Sequence, residues 1–267
     1  MRSINELIDL SGRVALVTGG AGFIGKAFCE TLAEAGAGIV VLDRDMASCE
    51  AVATNLHQRF GIKANAMQTD LGKRDEVEAV SGRIKNEFGQ LDILVNCAAF
   101  VGTSGLEGWS TSFDKQSMDT WREAIEVNLN ASITLIQSSL DLLNNSPKPS
   151  IINIGSIYGM GGADWQLYEG TDMGQPGAYA ASKGGLIQMT RWLATAVGPN
   201  IRVNCISPGG IYRNQPTSFV QKYESRTPMH RMGTEEDMKG ALLFLASDLS
   251  EYVTGQNIAV DGGWTAW

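Results

Sequence analysis

Tyr179-Ala180-Ala181-Ser182-Lys183 sets a phenol and an ammonium four residues apart. On a helix that spacing puts both side chains on one face. A cation beside a phenol favours the phenolate and draws a pKa that starts near ~10 towards the working range. With six tyrosines in the chain, the pattern alone also arises by chance. It gains weight because Ser156 closes an apolar run just upstream. A serine hydroxyl there can donate to a substrate carbonyl oxygen while Tyr179 moves the proton. The chemistry implied is proton exchange at the oxygen of a secondary alcohol or ketone.

A second chemical feature lies near the N-terminus. The run Val14–Thr18 leads into Thr18-Gly19-Gly20-Ala21-Gly22-Phe23-Ile24-Gly25, and a helical pattern follows. Glycines at such a turn let backbone approach a pyrophosphate, and the free N–H groups of the helix start face the phosphates. Tight strand-to-helix turns also use glycine for steric reasons alone. Asp43 ends the next apolar run, Val40-Val41-Leu42-Asp43. A carboxylate there can accept hydrogen bonds from both adenosine ribose hydroxyls and repel a 2′-phosphate, so the expected cofactor is NAD. A solvent-exposed Asp, or a partner for Arg44, is the plainer alternative, and Arg44 itself could soften the discrimination against NADP. Asp70-Leu71 follows the third run and could reach the adenine, although Asp70 serves equally well as a helix N-cap.

The bulk composition narrows the function classes. A formal net charge of −8 without Lys/Arg runs argues against nucleic-acid or anionic-membrane partners. Two histidines and four cysteines without a CxxC pair give no metal site, and Cys29, Cys49, Cys97 and Cys205 read as buried free thiols. No apolar stretch is long enough to cross a membrane, and Met1–Asp9 lacks a signal-like apolar region. A cytoplasmic protein is expected.

The elements that must position these groups alternate. Val14–Thr18, Ile39–Asp43, Ala64–Thr69, Leu91–Cys97, Ser150–Gly155, Ile201–Ile206 and Asn257–Val260 read as strands, several apolar at consecutive positions. Gly22–Ala35, Met46–Phe60, Lys73–Phe88, Ser117–Leu143, Ala178–Val197 and Glu235–Ser247 read as helices. In the helix bearing Tyr179, Leu186, Met189, Leu193 and Ala196 are expected to form the sheet-facing stripe. The βαβ order implies an α/β fold, a parallel sheet with helices on both faces, in one catalytic domain over 1–267.

Thr18–Gly25, Asp43, Asn96-Cys97-Ala98-Ala99, Asn128, Ser156, Tyr179-x-x-x-Lys183 and Pro208-Gly209 together resemble the short-chain dehydrogenase/reductase family, in order and over almost the whole chain. Val253-Thr254-Gly255-Gln256 and Asp261-Gly262-Gly263 are similar to its C-terminal segment. The resemblance implies a three-layer Rossmann fold on a seven-stranded parallel sheet, a nicotinamide cofactor, and a homotetramer or homodimer. It implies a catalytic tetrad of Asn128, Ser156, Tyr179 and Lys183. Lys183 would also bind the nicotinamide ribose, and Asn128 would hold a water in the proton relay unless it is an ordinary helix residue. The cofactor contacts implied are Gly19, Gly22, Phe23, Ile24, Gly25, Asp43, Arg44, Asp70, Leu71, Asn96, Ala98, Tyr179, Lys183, Pro208, Gly209 and Ile211.

The chain departs from the family pattern at three places. The glycines are spaced TGxxGxxG rather than TGxxxGxG, Ala99 stands where glycine is usual, and Arg213 replaces a threonine that contacts the nicotinamide amide. The backbone of Ile211 could still serve that amide. The segment between Ser156 and Tyr179 is longer than the family's usual span, so substrate loops are expected near 157–178 and 210–232. Trp165, Tyr168, Arg213 and Asn214 are the candidate substrate residues, with a surface excursion or subunit contact as the alternative for the longer segment. Aromatic faces and polar donors suit a sugar or polyol, and the segment is similar to enzymes of bacterial surface-sugar (flagellin-glycan and nonulosonic-acid) pathways. A β-ketoacyl-carrier-type reductase is the alternative within the oxidoreductases. A non-redox relative, either a nucleotide sensor or an epimerase/dehydratase, is the alternative outside them.

Overall fold

In a computed structural model that describes residues 1–101 and 104–267, the chain alternates strands and helices from end to end. A short helix, α1 (Ile4–Ile8), is closed by a Ser3/Glu6 capping box. Then follow β1 (Val14–Thr18), α2 (Phe23–Glu34), β2 (Gly38–Asp43), α3 (Met46–Phe60), β3 (Ala64–Gln68), α4 (Arg74–Phe88) and β4 (Ile93–Asn96). The second half adds α5 (Met118–Ile125), α6 (Ala131–Asn144), β5 (Ser150–Ile154), α7 (Gly177–Ala196), β6 (Arg202–Pro208), α8 (Thr217–Arg226), α9 (Glu236–Ala246) and β7 (Asn257–Val260).

All seven strands pair in parallel in the order β3-β2-β1-β4-β5-β6-β7. The seven-stranded, doubly wound Rossmann sheet expected from the sequence is therefore the observed one. Consecutive apolar residues are explained by two buried faces. In β1, Ala15 and Val17 join one core while Val14 and Leu16 join the other. In β2, Ile39 and Val41 face the first core, and Val40 and Leu42 the second. Phe28 and Leu32 of α2 and Leu242 and Leu245 of α9 cover one face. Val80 and Ile84 of α4, Leu135 and Leu143 of α6, and Leu193 of α7 cover the other. The strand order reverses at β1 and β4, so their carboxyl ends open a crevice.

Three helix expectations need correction. The stretch Ser117–Leu143 is not one continuous α-helix: a π turn over Glu126–Asn130 separates α5 from α6. Within it Asn128 bonds to the backbone of Phe100, 28 residues away in the chain. Ala196 is exposed, and the sheet-facing side of α7 is Lys183, Leu186, Ile187, Thr190, Leu193 and Ala194. The expected loop segment 210–232 instead contains helix α8, which packs Phe219, Val220 and Tyr223 inward.

Candidate active site

The turn after β1 is built for close approach. Gly19 has φ +65°, and a Cβ there would stand 2.9 Å from the Ala98 Cα at the end of β4. A Cβ on Gly25 would overlap the Gly19 carbonyl oxygen. The Thr18 Oγ1 accepts from the amides of Cys97 and Ala98 at 3.0 and 3.1 Å, locking the two strand ends together. Helix α2 starts at Gly22 with no side-chain cap, so its first N–H groups face the crevice free of the protein's own side chains.

Asp43 is turned towards this turn. Its carboxylate accepts from the amides of Ala21 (3.3 Å) and Arg44 (2.8 Å) and keeps lone pairs for a ligand. Asp70 is not the N-cap of α4, a position held by Lys73; it accepts from Gly72 N at 2.9 Å. A cavity of about 1010 Å³ runs from Asp43 and Arg44 past Asp70, Leu71 and the glycine turn to Ser156 and Tyr179. Gly19, Gly22, Phe23, Ile24, Gly25, Ala98, Lys183, Pro208, Gly209 and Ile211 also line it. The cradle at Gly19, the uncapped helix start and the acidic strand end together fit a dinucleotide. Asn96 does not line the cavity: its Nδ2 donates to Asn153 Oδ1 at 2.9 Å, tying β4 to β5.

At the other end, α7 starts after Pro176 and presents Tyr179 and Lys183 to the carboxyl end of β5. Ser156 and Tyr179 line the same end of the cavity, and the Ser156 Oγ accepts from the Tyr158 amide at 3.1 Å. The Lys183 Nζ, on a side chain 2% exposed, donates to the Ile154 carbonyl at 2.6 Å and lies 5.7 Å from the Tyr179 ring centre. Burial pulls Lys183 down to about 8. The expectation that Lys183 lowers the Tyr179 pKa is overturned for the protein alone. Burial holds that phenol above its ordinary value, with the neighbouring Ser156 hydroxyl opposing it. At neutral pH Tyr179 is therefore a protonated acid. Asn128 sits behind this pair, fully buried. It accepts from Phe100 N at 2.7 Å and donates to Phe100 O at 3.1 Å and Ser182 Oγ at 3.2 Å. Its side chain thus fixes the wall of the cavity.

The longer segment after Ser156 is half core and half surface. Tyr168 (9% exposed) lines the cavity, while Trp165 (60% exposed) points away and does not, correcting its assignment as a substrate residue. Arg213 and Asn214 both line it, Asn214 with φ +56°. Arg213 pairs with Glu235 at 2.5 Å and stacks over the Phe23 ring at 4.3 Å, so it bridges the loop after β6 to the glycine turn. Sequence reasoning missed Tyr158, Asp172 and Gln175, which also line the cavity. Tyr158 had a usable signal, since it lies two residues beyond Ser156 at a strand's carboxyl end; Gln175, before Pro176, had none.

A dinucleotide crevice joined to a Ser–Tyr–Lys cluster defines a nicotinamide-dependent oxidoreductase site. A family model described as enoyl-(acyl carrier protein) reductase matches residues 19–265, and the chain belongs to the short-chain dehydrogenase/reductase family. Among curated relatives, the 3-oxoacyl-(acyl-carrier-protein) reductase of Aquifex aeolicus is 32% identical over 261 residues, covering 96% of this chain and 98% of its own. The post-translational flagellin modification protein A of Campylobacter coli is 28% identical, covering 96% and 99%. The short-chain dehydrogenase of Leptospira borgpetersenii, solved with bound NAD+, is 35% identical with a TM-score of 0.85 and covers 99% and 96%. A gluconate 5-dehydrogenase of Burkholderia cenocepacia, solved with NADP and tartrate, is 28% identical with a TM-score of 0.88 and covers 99% and 100%.

Proposed function

We propose that the protein is an NAD-dependent oxidoreductase that interconverts a secondary alcohol and its ketone. The observation that carries this reading is the Ser156–Tyr179–Lys183 cluster at one end of a cavity whose other end is the glycine turn and Asp43. Gly19, Gly22 and the start of α2 would hold the diphosphate, Asp43 the adenosine ribose, and Lys183 the nicotinamide ribose. Hydride transfer is the chemistry a nicotinamide supplies when bound. The chain's own residues handle the oxygen. Ser156 donates to it, and Tyr179 gives a proton in reduction or takes one in oxidation. Lys183 keeps a positive charge beside that exchange.

The NAD preference rests on Asp43, whose charge opposes a 2′-phosphate. The Asp43 carboxylate also weighs against the second reading, a 3-oxoacyl-carrier reductase using NADPH, which the Aquifex relative's name favours. Exposed Met118 on α5 and Trp192 on α7 support assembly as a homodimer or homotetramer, and four free cysteines support a cytoplasmic setting. The test is a panel of secondary alcohols and ketones followed by nicotinamide absorbance. Wild type is expected to turn over at least one pair with NAD(H) faster than with NADP(H), and Ser156→Ala to slow it by about 100-fold or more. Equal rates for Ser156→Ala would remove Ser156 from the chemistry, and faster NADPH oxidation would favour the second reading.

A further inference from the structure

The cavity carries hydrogen-bonding groups that proton exchange at Tyr179 does not use. The hydroxyls of Tyr158 and Tyr168 lie 2.5 Å apart, and both residues line the cavity. Burial raises both phenols, Tyr158 far above the ordinary range and Tyr168 up to about 12, so neither ionises. Two neutral hydroxyls hold two protons. One spans the pair, which leaves one O–H to donate and lone pairs to accept. Gln175, 8% exposed, lines the same cavity, and its buried Nε2 has no partner among the described residues. A buried donor left unpaired costs about 1–3 kcal/mol, which a ligand oxygen would recover once the Gln175 amide turns to the cavity its residue lines.

These groups are also held in place. Tyr168 packs against Phe219 of α8 at 5.5 Å between ring centres. The segment that carries it is tied to α8 by Lys222, which donates to the carbonyls of Gln166 (2.7 Å) and Glu169 (3.0 Å), and by the Arg226–Asp164 pair at 3.4 Å. Such anchoring makes a fixed recognition surface rather than a loop that must be ordered on binding.

The charge of the lining selects among oxygen-rich ligands. Among the described residues its cations are Arg44, Lys183 and Arg213. Lys183 is buried at the Tyr179 end, where it donates to Ile154 O and would serve the nicotinamide ribose, Arg213 is paired with Glu235, and Arg44 stands beside Asp43 at the far end. A carboxylate or phosphate here would meet no free cation and would face Asp172, which also lines the cavity. A hydroxyl, both donor and acceptor, matches what is offered.

We infer that Tyr158, Tyr168 and Gln175 form a subsite for a second, non-reacting hydroxyl of a neutral polyhydroxylated substrate, such as a sugar alcohol or ring polyol. This rests on the alcohol–ketone reading above. The test compares kcat/KM for cis-cyclohexane-1,2-diol and cyclohexanol, which differ by that one hydroxyl. Wild type is expected to favour the diol. Tyr168→Phe and Gln175→Leu are each expected to cut the diol-to-monoalcohol ratio about tenfold through the diol's KM, the worth of one buried hydrogen bond. A merely structural role would lower both alcohols together and leave the ratio fixed, and that outcome overturns the subsite. If Tyr168→Phe does not fold, Gln175→Leu carries the comparison. If wild type oxidises neither alcohol, the alcohol–ketone reading is decided by the wider panel above, and it fails if no pair is turned over. The subsite is then judged by saturation-transfer NMR of sorbitol and of gluconate on the NAD-loaded protein. A sorbitol signal lost in the variants upholds it; no signal, or a stronger one from gluconate, overturns it.

Discussion

Lys183 is a buried ammonium, and its burial should be measurable as a cost to folding. Burial lowers its pKa from the ordinary 10.5 to about 8. At ~1.4 kcal/mol per unit, the charged form disfavours the folded state by roughly 3 kcal/mol below pH 8. Lys183→Met removes the charge and keeps the apolar stem, but leaves the Ile154 carbonyl without its donor, at about 1 kcal/mol. The net expectation is a variant about 2 kcal/mol more stable than wild type at pH 7. The sign of the pH dependence follows from linkage. Between pH 8 and 10.5 the unfolded chain keeps the lysine proton that the folded chain has released, so wild-type stability rises with pH through that window. The variant lacks this rise, and its advantage should be full below pH 8, vanish near about pH 10 and reverse above it, where only the lost Ile154 bond remains. Equilibrium unfolding in denaturant, on cofactor-free protein at fixed concentration and pH 7, 8, 9 and 10, reads both quantities. A variant less stable at pH 7, or an advantage that does not change with pH, would refute the reasoning.

Other substitutions report on the cofactor half. Asp43→Ser should lower the NAD-to-NADP ratio of kcat/KM by at least tenfold, mainly through weaker exclusion of the 2′-phosphate; an unchanged ratio would show that Asp43 does not select the cofactor. Gly25→Ala forces a Cβ into the Gly19 carbonyl, so it should weaken NAD binding by calorimetry more than 100-fold or lower stability by about 3 kcal/mol. Wild-type affinity and melting temperature in that variant would mean the turn has room to spare.

Much of this was legible in the sequence because the fold enforces it with repeated signals. Strands covered on both faces read as unbroken apolar runs, as in Ala15-Leu16-Val17, and their parallel pairing followed from the helices between them. The glycine turn, Asp43, Ser156, Tyr179 and Lys183 each sit at a strand end or on one helix face, where spacing along the chain maps onto spacing in space. What escaped depends on side-chain direction. Trp165 and Tyr168 are three residues apart in one segment, yet one faces solvent and the other the cavity. Helix i,i+4 spacing placed Lys183 beside Tyr179, but it could not show that the ammonium turns to the Ile154 carbonyl. The π turn at Asn128 was invisible for the same reason, since the side chain there bonds to Phe100, far away in the chain.

The sharpest measurement is Tyr179→Phe, which removes one hydroxyl from the Ser156–Tyr179 pair and nothing from the glycine turn. Turnover of any alcohol or ketone that wild type accepts should fall by at least about 1000-fold, while NAD affinity by calorimetry stays within about threefold. Retained turnover in a protein that binds NAD normally would contradict the assignment of Tyr179 as the proton carrier.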